Sequence, residues 1–216
     1  MRILAFGPER AEQTVLFAAG SGGDPQRYRP LLDEFADREC RVIAPVFDRI
    51  DGARASEAEL IARPHGLVEA LAQASAPEAN VAVVGHSIGG WAALCLAGAR
   101  PWSRAGHAMD VPREPRVSRL VLYAPAAGWF AAPGALDAVT APMLVYVGEL
   151  DTVTPAEQAL QLKNARADVD LRVVPNAGHF SFMHQPPPGV VEDVAFDRDA
   201  FLADLARATL DFVTSG

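Results

Sequence analysis

Short, largely apolar runs of strand length alternate along the chain with segments of helical period. Thr14 to Ala19 is followed by Tyr28 to Arg38, Arg41 to Phe47 by Ser56 to Ser75, and Val81 to Val84 by Ile88 to Ala99. The rhythm continues with strand-like runs at Arg119 to Tyr123 and Met143 to Val147 and a helix near Pro155 to Arg166. A strand at Leu171 to Val174 and a closing helix near Asp199 to Val213 complete it. Strands that are apolar without inside-outside alternation are those covered on both faces, so the pattern predicts an α/β fold with a mostly parallel sheet and helices on both faces. There is no internal repeat, and Pro186-Pro187-Pro188 reads as a stiff loop and not a linker. Residues 1–216 are therefore expected to form a single domain.

One junction in this pattern carries chemistry. Gly85-His86-Ser87-Ile88-Gly89 joins the apolar run Val81-Ala82-Val83-Val84 to a proline-free helical segment rich in alanine and leucine. This is the G-x-S-x-G nucleophile elbow, in which serine sits in a strained turn and a side chain two residues to either side would collide with it. The bare pattern arises by chance in roughly 7% of chains of this length at ordinary glycine and serine usage, so its strand-turn-helix context is what gives it weight. The helix that follows directs its free amides and positive dipole end toward Ser87.

A serine hydroxyl becomes a nucleophile when a neutral imidazole takes its proton, and the imidazole needs a carboxylate to fix its tautomer. Asp151 follows the strand Met143 to Val147, and His179 follows the strand Leu171 to Val174. Both lie at carboxyl ends of strands, where open parallel sheets build their sites. Taken singly, each has an ordinary reading: Asp151 as a helix cap, His179 as a loop histidine, Ser87 as a turn residue. Glu149, two residues nearer the strand, is the rival for the acid. The loop Ala18-Ala19-Gly20-Ser21-Gly22-Gly23 follows the first strand and lets backbone amides approach a ligand closely. It matches neither G-x-x-x-x-G-K-[ST] nor G-x-G-x-x-G, so it is not read as a nucleotide loop.

From about Thr14 to its end the chain resembles the α/β-hydrolase superfamily, above all compact esterases and dienelactone-hydrolase-like proteins. The resemblance implies the α/β-hydrolase fold, a triad of Ser87, Asp151 and His179, and an oxyanion hole from the amides of Ile88 and Ser21. Gly20-Ser21 matches the glycine and following residue of the family's H-G-x loop, with Ala19 in place of the usual histidine. Dienelactone hydrolases carry cysteine where this chain has Ser87, and relatives with an aspartate nucleophile, the haloalkane dehalogenases and epoxide hydrolases, do not fit. The 15 residues from Ala126 to Thr140 are too few for an inserted cap domain. The implied reaction is hydrolysis of a carboxylic ester or thioester through an acyl-enzyme. Acyl transfer to an alcohol would leave no sequence mark, and a non-catalytic binding module of the same fold is the rival from another class.

Composition bounds the partners. Lys and Arg number 19 against 27 Asp and Glu, a net charge of −8, and there is no long basic run to hold nucleic acid or an anionic membrane. Small uncharged or weakly polar ester substrates fit, while association as a homodimer stays open. Met1 to Pro8 is too short an apolar run for a signal peptide, and no stretch reaches the ~18 apolar residues of a membrane span, so a cytoplasmic protein is expected. Cys40 and Cys95 lie in no ligand spacing and read as packing residues; no metal or cofactor is expected. Of the aromatic residues on segments near Ser87, Trp129 and Phe180 are expected to line an acyl pocket. Arg100 to Arg116 follows the far end of the elbow helix and is expected, with His107, on the face opposite the serine. His86 is expected to point away from the site, His184 to lie on its rim, and His65 to be structural.

Overall fold

A computed structural model describes residues 1–52 and 54–215. In chain order its elements are β1 (Arg2–Phe6), β2 (Gln13–Ala18), α1 (Arg29–Asp37), β3 (Arg41–Val46), α2 (Glu57–Ala74) and β4 (Asn80–His86). These are followed by α3 (Ile88–Leu96), β5 (Val117–Tyr123), β6 (Met143–Gly148), α4 (Ala156–Ala165), β7 (Val169–Val174) and α5 (Arg198–Thr214). The sheet runs in the order β1-β3-β2-β4-β5-β6-β7, parallel throughout except for β1, which pairs antiparallel with β3.

The unbroken apolar runs are strands buried on both faces, as their composition requires. Leu16 of β2, Val81 and Val83 of β4, and Leu120 and Leu122 of β5 join a core with α2, α3 and α4. Their alternates Val15, Phe17, Ala82, Val84, Val121 and Tyr123 join a second core with α1 and α5 on the other face. Local signals set the helix starts: Ser56 and Glu59 form a capping box before α2, and Asp197 accepts from the Ala200 amide before α5.

After β2 the chain lays β3 on one side and then crosses to lay β4 on the other. The carboxyl ends of β2 and β4 therefore flank a crevice where the strand order reverses, the place at which open α/β sheets bind ligands. Among the described residues, the connection from β5 to β6 carries a single 3-10 turn, Ala127–Phe130. No described helix is long and apolar enough to cross a membrane.

Two features depart from the sequence reading. β1 was not expected: its short apolar run Ile3-Leu4-Ala5-Phe6 forms an edge strand that is nowhere fully buried. The segment Arg100 to Arg116 does not stay on the face away from the serine. The nine-residue α3 is short, and the chain climbs back beside it until the Trp102 amide donates to the Trp129 carbonyl at 2.8 Å. The Arg104 guanidinium lies 5.0 Å from the Trp129 ring and donates to the Gly52 carbonyl at 3.4 Å, which puts the middle of the segment on the rim shared with the loops after β3 and β5. His107 is exposed there, as expected, beside Glu57 at 3.0 Å.

Candidate active site

Ser87 adopts φ 57° and ψ −121°, a left-handed conformation that costs a non-glycine residue ~1–3 kcal/mol and persists only where the surroundings impose it. They do so through the two glycines. A Cβ on Gly85 would lie 2.5 Å from the Gly89 carbonyl oxygen, and one on Gly89 would lie 2.0 Å from that of Ala18. The strand-to-helix turn is thus pressed against the end of β2, with the Ser87 hydroxyl at the mouth of the crevice.

The structure brings Ser87, His179 and Asp151 into one hydrogen-bonded line. His179 Nε2 is 3.0 Å from Ser87 Oγ, and His179 Nδ1 is 2.8 Å from Asp151 Oδ2. An ionised carboxylate only accepts, so Nδ1 carries the proton and Nε2 accepts from the serine hydroxyl. Asp151 Oδ1 also accepts from the amides of Val153 and Thr154, both at 2.8 Å, and Thr154 Oγ1 donates to Oδ2 at 2.9 Å. Burial alone would raise the Asp151 carboxyl, but the His179 hydrogen bond and charge and these two amides outweigh it and hold it below the usual carboxylate range. Glu149 is exposed on the outside of the turn, accepting from the Asn176 amide at 3.1 Å, and does not meet His179.

His86 corrects the expectation that it turns away. It is buried with its ring 4.9 Å from that of His179, and its Nε2 donates to the His179 carbonyl at 2.9 Å. Its Nδ1 must then accept, and the Tyr28 hydroxyl donates to it at 2.6 Å. Burial, reinforced by the neighbouring His179, pushes the His86 imidazole down to about 3, so it stays neutral. Tyr28, from the segment after β2, is thereby tied through His86 to the backbone of His179. A second tie comes from Arg198, which donates to the carbonyls of Phe180 and Met183 at 3.2 and 2.7 Å and pairs with Glu192.

The loop after β2 closes on the serine from the other side. A Cβ on Gly20 would be 3.4 Å from both Ser87 Cβ and His86 Nδ1. Ile88 is the first residue of α3, so its amide lies outside the helix's own hydrogen-bond ladder. No protein-family model matches the chain, and no curated protein sequence matches it. Solved structures do. A thermophilic esterase, Est2, from the Planctomycetes species Thermogutta terrifontis superimposes with a TM-score of 0.65 at 18% identity, covering 98% of this chain and 87% of that one. The monoacylglycerol lipase of Paleococcus ferrophilus gives 0.65 at 16% identity over 98% and 97% of the two chains. Thermogutta terrifontis esterase 2 phosphonylated by cyclosarin gives 0.61 at 18% identity over 99% and 90%.

The chain has the α/β-hydrolase fold. On this scaffold the strand ends carrying Ser87, Asp151 and His179 are those of β4, β6 and β7. A cavity of about 180 Å³ lies beside His179, lined by Phe180, Leu150, Val153 and Val191 among others. The Phe180 ring meets the His179 ring edge-on at 5.1 Å. Trp129 lies outside this cavity, half-buried against Trp91 with ring centroids 6.5 Å apart. Trp91 and Phe182 are fully buried core residues, and both cysteines are buried and free. A larger concavity of about 840 Å³ sits at the amino ends of β2, β3 and β4, among residues 9–12, 41 and 73–80, and none of the three aligned side chains reaches it. Among the described residues no cluster of His, Cys, Asp or Glu could hold a metal.

Arg63 escaped the sequence reading, although its spacing marks it. It falls on the apolar stripe Leu60, Leu67, Ala70 and Leu71 of α2, and only 2% of it is exposed. A guanidinium on such a stripe must be paired from outside the helix.

Proposed function

We propose that the protein is a serine hydrolase acting on small carboxylic esters or thioesters through an acyl-enzyme. The observation that carries this reading is the line Asp151–His179–Ser87, with spacings of 2.8 and 3.0 Å, ending on a serine held in a strained elbow. Ser87 Oγ attacks the acyl carbon while its proton passes to His179 Nε2, and Asp151 holds the Nδ1 proton and stabilises the imidazolium. The amides of Ile88 and Ser21 receive the oxyanion, a contribution of ~3–4 kcal/mol per donor to the barrier. His179 then protonates the departing alcohol or thiol, and water repeats the cycle on the acyl-enzyme.

The fold neighbours include an esterase phosphonylated by cyclosarin, which supports an organophosphorus probe as the first test. A fluorophosphonate should label one residue, Ser87, because attack on phosphorus needs the same activated hydroxyl. Ser87→Ala should abolish labelling and lower kcat on ester substrates by roughly 10⁴- to 10⁶-fold with folding intact. Labelling elsewhere, or none on folded wild-type protein, would favour a binding module instead. The cavity beside His179 is lined by the apolar Leu150, Val153, Phe180 and Val191 together with Glu192 and Asp193, a lining that disfavours anionic substrates, and the short β5–β6 connection supports a site without an inserted cap.

A further inference from the structure

The Arg63 guanidinium lies beneath the loop after β2 and donates to four carbonyls. Nη1 reaches those of Ala19 at 3.4 Å and Gly20 at 3.0 Å, and Nη2 those of Ser21 at 3.3 Å and Asp48 at 3.1 Å. Its carbon sits 5.0 Å from the Phe47 ring centroid, so the group is also stacked. The peptide bond is planar and trans, which sets each carbonyl opposite to the amide of the next residue. With the Ala19, Gly20 and Ser21 carbonyls drawn down onto Arg63, the amides of Gly20, Ser21 and Gly22 face the other way. The Ser21 amide among them is the one assigned to the oxyanion in the proposed cycle.

We propose that Arg63 is a positioning residue that aims the Ser21 amide at the oxyanion site by holding the carbonyls on the far side of the same loop. The proposal rests on the hydrolase reading and deepens it, because it names what orients one half of the oxyanion site. Arg63 shares these carbonyls with two backbone donors that pull the same way, the Gly23 amide on the Gly20 carbonyl at 3.0 Å and the Ile50 amide on the Ser21 carbonyl at 2.9 Å, and Arg63 alone spans all three residues of the turn. Burial lowers the Arg63 guanidinium to about 10, with nearby Asp48 opposing, and it remains charged at neutral pH. A charged donor in a water-poor site holds its carbonyls more firmly than a neutral one. The fork that reaches four oxygens is a property of arginine that lysine lacks.

The test compares p-nitrophenyl acetate with its thiono analogue in wild type, Arg63→Met and Arg63→Lys. In the thionoester the developing charge rests on sulfur, a weak acceptor that gains little from amide donors. If Arg63 acts through the Ser21 amide, Arg63→Met lowers kcat/KM for the ester by about 10²-fold. The thionoester loses less than about tenfold, so the ester-to-thionoester ratio collapses, and Arg63→Lys recovers part of it. The loss should fall on kcat and not KM. Equal losses on both substrates in a folded variant would overturn the proposal, since a purely structural role lowers both alike. Should Arg63→Met fail to fold, the ratio in Arg63→Lys decides by the same criterion. A wild type that neither hydrolyses esters nor reacts with fluorophosphonate overturns the hydrolase reading itself; an active wild type with an unchanged ratio in the variants overturns only the role of Arg63.

Discussion

Gly89→Ala is the sharpest perturbation available, because the added methyl group meets backbone and not a side chain that could turn aside. Its Cβ would stand 2.0 Å from the Ala18 carbonyl oxygen, 2.6 Å from the Ala18 carbon and 2.8 Å from the Ala19 oxygen. Real Cβ contacts stay above 3.0 Å, so the first turn of α3 and the end of β2 must separate by at least 3.0 − 2.0 = 1.0 Å. Those two segments carry the two halves of the proposed oxyanion site, and a displacement of ~1 Å in a reacting geometry costs ~10²-fold in rate. Overpacking costs ~1–3 kcal/mol of stability, offset by the ~1 kcal/mol that alanine gains over glycine in a helix. The net loss of up to ~2 kcal/mol should lower the melting temperature by up to about 8 °C in a chain of this size. The assay is kcat/KM on p-nitrophenyl acetate alongside thermal unfolding, with Gly52→Ala as the control, since a Cβ there meets nothing within 4 Å. A Gly89→Ala protein as active and as stable as that control would refute the argument from close approach.

Asp151→Asn should reduce kcat by about 10⁴-fold by favouring the wrong His179 tautomer, whereas Glu149→Gln should change it little; a more damaging glutamate substitution would transfer the acid role to Glu149. For a site without a cap, kcat/KM should not climb steeply from acetyl to palmitoyl esters, and a rise approaching ~0.8 kcal/mol per methylene would instead reveal a long acyl tunnel. His86 stays unprotonated in the fold down to about pH 3 and takes up a proton below about pH 6.5 when unfolded. The unfolded chain therefore binds more protons in that window, and stability should fall with pH by up to ~5 kcal/mol across it. The slope of melting temperature against pH should flatten in His86→Gln; an unchanged slope would show that other groups carry the acid sensitivity.

How much the sequence disclosed depended on whether a residue's environment is made by its own neighbours along the chain. The paired apolar faces of β2, β4 and β5 were readable because both helical layers cover them, and the elbow was readable because Gly85 and Gly89 are demanded by local sterics. The placement of Asp151 and His179 after successive strands followed from the same rhythm. β1 escaped because its apolar run Ile3 to Phe6 is short, lies ahead of the alternating strands and helices, and belongs to an edge strand that pairs antiparallel with β3 alone. Arg63 and His86 escaped because their partners are carbonyls and a hydroxyl brought from elsewhere: the Arg63 carbonyls come from residues 19–21 and 48, and the His86 partners from residues 28 and 179. The return path of Arg100 to Arg116 was hidden for a similar reason, since it is set by the shortness of α3 and by contacts with Trp129 and Gly52.

The two neighbouring imidazoles, tilted 38° to one another, have a consequence for proton traffic in the proposed turnover. With rings 4.9 Å apart, His86 and His179 could in principle share the proton released by Ser87, and a shared proton would be slow to reach the leaving group. The hydrogen bonds of His86 forbid this: one nitrogen already holds a proton on the His179 carbonyl, and the other is occupied by Tyr28. Its burial disfavours a second proton at neutral pH. In the proposed cycle the proton therefore has a single resting place, His179 Nε2, from which the nearest basic atom is the departing oxygen. In that cycle a histidine beside Ser87 acts as an insulator, confining charge to the His179 ring.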